Sequence, residues 1–144
     1  MSTSGPARGG YAGWVRWIEA FRRGENPSTD GLGPIGAGLG SYVEARLLDR
    51  MSAAFTERVR QWQMALGDAI VARPPESPAA AATMLREAVA QLDPLTMLAT
   101  SPLLPRSLGA SMHAMLDQVR DGAGAALDEV WRRRTEEGAG EVPV

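Results

Sequence analysis

The sequence predicts an all-α fold: an antiparallel helical bundle with two long helices, a medium helix and a short N-terminal helix joined by a Gly-rich loop. Three observations carry this. Apolar residues recur at steps of three and four along most of the chain, the spacing of one helix face;. Proline and glycine gather between those stretches, where helices must stop and start;. The apolar–polar alternation of a strand is absent, and no internal repeat at a fixed period interrupts the pattern;.

Residues 1–10, MSTSGPARGG, are small, polar and Gly-rich and read as a flexible N-terminal tail;. A single helical domain then spans 11–137. Its first helix, 11–23, places Trp14, Trp17, Ile18 and Phe21 on one stripe, with Arg16, Glu19, Arg22 and Arg23 largely off it. Gly24 is the expected stop. From Glu25 to Gly40 the chain reads as a connection. Its glycines alternate with Leu32, Ile35 and Leu39, so the loop is expected to lie against a surface rather than in solvent;.

The strongest element is 41–72. Ser41 and Glu44 have the spacing of a capping box. Leu48, Met51, Phe55, Val59, Trp62, Leu66 and Ile70 mark its inner face. At 1.5 Å per residue it would be roughly 45–50 Å long, more than a small globule needs, which suggests an elongated bundle or a shared dimer core. Pro74-Pro75 ends it. Ser77-Pro78 opens the next helix, 78–92, with serine as cap and proline in the first turn, where its missing N–H is harmless;. This helix is alanine-rich, with Leu85, Ala88 and Leu92 on one side. The Pro-containing stretch 94–106 suggests one helical turn around Leu95–Ala99, with Leu103 and Leu104 plugging the bundle's end. A last helix, 107–137, is capped by Ser107. Its stripe is Leu108, Met112, Met115 or Leu116, Val119, Ala123, Leu127 and Trp131. Gly122 and Gly124 interrupt it at about 1 kcal/mol each relative to alanine, which implies a kink or a close crossing. Residues 138–144 read as a flexible C-terminal tail.

Composition excludes several kinds of chemistry. The 144 residues contain no cysteine and one histidine, so thiol catalysis, thiolate metal sites and multi-histidine sites within the chain are out;. Fifteen basic against seventeen acidic side chains give a net charge of −2, which argues against strong nucleic-acid binding by charge;. Every basic residue is arginine. With the Ala, Gly and Pro content, this suggests a GC-rich bacterial source. No apolar run of spanning length and no secretory leader is evident, so the expected location is cytoplasmic;.

Three motifs invite chemistry. Gly31, Gly33 and Gly36 spell a G-x-G-x-x-G, but a turn segment precedes it where a dinucleotide site needs a strand, and Pro34 removes a donor;. His113, Asp117 and Asp121 form a helical column with neither nucleophile nor oxyanion donor;. Arg132, Arg133 and Arg134 are followed by Glu136 and Glu137, a self-neutralising helix end;.

With no catalytic residues, no metal site and no cofactor expected, the function read from the sequence is structural. It is a non-catalytic helical protein–protein interaction or assembly module, a homo-oligomer that engages a protein partner. The candidate partner-binding residues are Trp14, Trp17, Ile18 and Phe21, large anchors at the spacing of a helix that docks in a groove. The same stripe also suits packing on the chain's own bundle. The alternatives are a helical small-molecule-binding domain with an apolar pocket, in which scattered methionines would serve, and a weak dimeric DNA-binding regulator.

Overall fold

The computed structural model describes residues 10–35 and 40–140; its regular structure is all helical, with no strand among them. Five helices follow in order: α1 (Tyr11–Arg22), α2 (Ser41–Ala72), α3 (Pro78–Ala90), α4 (Asp93–Thr100) and α5 (Arg106–Gly140). The expected tails lie outside the described residues except for Gly10 and for 138–140, which continue α5. Of the G-x-G-x-x-G motif, Gly36 lies outside the described residues. Helix α1 packs on α2, while α5 is touched by α2, α3 and α4.

The termini show how local chemistry sets these bounds. Helix α1 ends in a Schellman motif: Gly24 at φ 106° donates to the Phe21 carbonyl at 3.0 Å, and the Glu25 N–H reaches back to Ala20 at 3.1 Å;. Only glycine takes that φ without strain. The Ser77 hydroxyl accepts the Ala80 N–H at 3.0 Å and so caps α3;. At α2 the expected capping box is not in register. Ser41 is the first helical residue rather than the cap, and Gly40 at φ 84° stands in the cap position. Helix α5 begins one residue before Ser107, its first turn closing on the Pro105 carbonyl.

Asp93-Pro94, just past the predicted 78–92 helix, starts a new helix. Helix α3 stops at Ala90, and Pro94 sits in the first turn of α4, whose leading N–H groups have no intrahelical acceptor;. The single turn expected near Leu95–Ala99 is thus a complete eight-residue helix.

One core joins the elements. Met51, Phe55, Val59, Trp62 and Leu66 of α2 are buried as the spacing requires, together with Leu47, which the sequence stripe omitted in favour of the half-buried Leu48. Met112, Leu116, Ala123 and Leu127 are the buried positions of α5, whereas Leu108, Met115, Val119 and Trp131 lie at its margins. The Trp62 indole donates to the Ala88 carbonyl at 2.7 Å. It thereby serves a carbonyl in the last turn of α3, where intrahelical donors run out;. Farther along α3 and α5, Glu76 meets Arg134 at 3.4 Å and Leu85 meets Gly124.

Glycines within helices separate into two kinds. At Gly109 an added Cβ would stand 2.7 Å from the Ala99 carbonyl oxygen, because α4 crosses α5 there backbone against backbone. At Gly124 it would meet only a Leu85 methyl at 3.6 Å, an ordinary contact. Gly109→Ala is therefore expected to cost about 1–3 kcal/mol by forcing α4 outward. Gly124→Ala is expected to stabilise by about 0.5–1 kcal/mol through helix propensity. Urea unfolding of both variants checks the opposite signs.

Candidate functional site

The four residues that the sequence singles out are all buried in this chain's own core. Trp14 is 0% exposed, and Trp17, Ile18 and Phe21 are buried with it. Their indoles also tie the following loop down: Trp14 Nε1 donates to the Gly33 carbonyl at 2.9 Å and Trp17 Nε1 to Pro27 at 3.0 Å. Trp14 meets Trp17 edge-on at 5.6 Å, and Trp17 stacks on Phe21 at 5.1 Å;. The described part of the connection, to residue 35, ends against the fold, with Ile35 buried and its N–H bonded to the Leu103 carbonyl at 2.8 Å; Leu39 lies outside the described residues. Within the chain the stripe is covered mainly by α2.

Arg58, which sequence reasoning passed over, holds this unit closed. Its guanidinium donates to the carbonyls of Phe21 and Glu25 at 3.0 and 2.9 Å and to Asn26 Oδ1 at 3.0 Å. It also lies 4.5 Å from the centre of the Phe21 ring;. Partial burial lowers its pKa, but an arginine remains charged at any ordinary pH;.

Two open grooves stand out on the surface of the described residues. The larger, about 660 Å³, lies between α1 and α4. Trp17 and Phe21 contribute from α1, and Asn26, Pro27, Ser28 and Thr29 from the loop behind it. Helix α4 supplies Thr96, Met97, Leu98 and Thr100. The second, about 470 Å³, runs between the later half of α2 and the middle of α5. Trp62, Leu66, Gly67 and Ile70 face Val119, Gly122, Ala123 and Ala126 across it. Among the described residues, no ionisable side chain lines either groove.

The residues that suggested chemistry are occupied elsewhere. His113 Nε2 lies 3.4 Å from Thr100 Oγ1. That hydroxyl already donates to the Thr96 carbonyl at 2.8 Å, so Nε2 is the donor between the two;. Asp117 pairs with Arg120 at 3.3 Å, and Arg120 reaches Thr96 Oγ1 at 3.0 Å. No group of three His, Asp or Glu able to hold a metal ion occurs among the described residues. Each arginine of the triplet has a carboxylate: Arg132 and Arg133 share Glu129 at 3.8 and 2.9 Å, and Arg134 takes Glu76. The strongest surface pair is Arg60 with Glu57, at 2.6 Å. Hydrogen bonds from Arg60 and Gln61 hold the Glu57 carboxyl down to about 2;.

No helix among the described residues is long and apolar enough to cross a membrane. The chain matches no protein-family model, and neither a curated protein nor a solved structure matches it.

Proposed function

We propose that this chain is a non-catalytic helical interaction module, an antiparallel bundle that self-associates through the face between the later half of α2 and the middle of α5. The observation that carries this reading is the pairing of Gly67 and Gly122. Both line the same groove, and a Cβ at either would meet nothing within 4 Å. Each glycine costs its helix about 1 kcal/mol relative to alanine, and no neighbour among the described residues requires the missing side chain;. Space for a second backbone gives them a use.

The surroundings support it. Met64 and Val71 flank Gly67 at helical spacing and are 55% and 81% exposed;. With the half-buried Ile70 they add apolar surface beside the groove, set among polar groups: the Arg60 guanidinium donates to the Met64 sulfur, and Asp68 is exposed between Met64 and Val71. A partner for such a face must match this mixed apolar and polar surface, and a second copy related by a two-fold axis presents it. The buried α1 stripe then serves the fold, and the partner surface lies elsewhere.

The test is sedimentation velocity across micromolar concentrations. The chain is expected to sediment as a dimer, and Val71→Glu as a folded monomer with unchanged helicity, since the new carboxylate would be buried at the contact. Met97→Glu, outside the patch, should remain dimeric. A wild-type chain that stays monomeric throughout the range contradicts the proposal.

A further inference from the structure

An open glycine on a contact face leaves a hollow that a protruding side chain can fill. Among the described residues, the large apolar side chains that stand exposed are Tyr11, Tyr42, Met64, Val71 and Met97, none of them on α5. The middle of α5 exposes Asp117, Gln118, Asp121, Gly122, Ala125 and Ala126, which are small or polar. Helix α5 of a second copy thus has no apolar knob for the space over Gly67. Helix α2 has one: Val71 is 81% exposed and lies one turn beyond Gly67 on the same face;. We infer that Val71 of a second copy fills the space over Gly67, the two α2 helices crossing antiparallel about a two-fold axis between residues 67 and 71. This rests on the self-association proposed above and names the segment that occupies the face.

A knob and a hollow four residues apart on one helix are self-complementary when that helix meets its own copy in the reverse direction. Val71 of each copy then rests over Gly67 of the other, and the same contact is made twice, as a closed two-fold interface requires. Met64, a turn on the other side of Gly67, comes beside Val71 of the second copy. A Cβ at Gly122 would meet nothing within 4 Å, so α5 leaves room beside the incoming helix. Tyr11, Tyr42 and Met97 lie outside this stretch of α2, and none of them joins knob and hollow in one patch. Asp68 opposes the contact. Exposed next to Gly67, it approaches Asp68 of the other copy at the axis, where like charges repel;.

Disulfide formation between differently substituted chains tests this, since the native chain has no thiol. Gly67→Cys mixed with Val71→Cys is expected to form the mixed disulfide at least about tenfold faster than Gly122→Cys mixed with Val71→Cys. Only the first pair is held within bonding distance. Asp68→Asn should tighten self-association by about twofold or more in sedimentation, with unchanged helicity. Gly67→Leu keeps a good helix former but fills the hollow, and should sediment as a folded monomer. A dimer in which the Val71→Cys thiol joins Gly122→Cys as fast as Gly67→Cys, or one that Asp68→Asn weakens, overturns this inference and leaves the assembly reading standing. A wild-type chain that stays monomeric overturns both.

Discussion

Replacing Trp14 with alanine is expected to lower the unfolding free energy by about 3–5 kcal/mol, a large part of what a domain of this size possesses. The side chain is fully enclosed between α1 and α2, so its removal leaves a cavity that neighbours cannot fill without moving a helix. It also abolishes the bond from the indole to Gly33 that holds the glycine loop down, and the edge contact with Trp17. Because Leu47, Met51 and Phe55 belong to the same core as Trp14, loosening α1 uncovers the inner face of α2. Urea unfolding should therefore remain one transition, displaced to lower concentration, whether followed by tryptophan fluorescence or by helicity. Deletion of residues 1–30 should leave a chain without cooperative unfolding. A truncated chain that unfolds as sharply as the parent would mean that α1 docks on the domain without being part of it.

Arg58→Met should cost about 2–3 kcal/mol, less than the sum of its contacts because part of the guanidinium remains in water. Three donations and one ring contact are lost together, and they converge on the turn that ends α1. Methionine keeps most of the apolar stem, so the deficit reports the head group. Arg58→Lys retains the charge but not the planar fork, and should recover less than half of the deficit. Hydrogen exchange at Gly24 and Glu25, whose amides close the Schellman motif, should quicken in both variants;. Full recovery by lysine would show that charge alone matters here.

What the sequence revealed and what it hid separate along a physical line. Interactions that are local in the chain were legible. The Ser77-Pro78 start and the Gly24 stop depend on residues within one turn of each other, and the inner stripe of α2 depends on its own period. Features that need a distant partner were not. Gly109 differs from Gly124 only in what lies above it, the Ala99 carbonyl in one case and a leucine methyl in the other. Arg58 looks like any helix arginine until α1 folds onto it, 33 residues away at Glu25. Leu47 and Leu48 are adjacent leucines, and only the angle at which α1 crosses α2 decides which one is covered. The aromatic stripe of α1 was visible as a stripe, but periodicity says that a face is covered and not by what.

The assembly face can be probed most directly through the absence of cysteine, because any thiol introduced is the only one present. Val71→Cys and Met97→Cys, each oxidised with copper phenanthroline at micromolar concentration, place a reporter on the proposed contact and off it. A two-fold contact centred near Gly67 predicts rapid covalent dimer from Val71→Cys and little from Met97→Cys. Equal, slow cross-linking of the two would contradict it, since random collision makes no distinction between one exposed thiol and another.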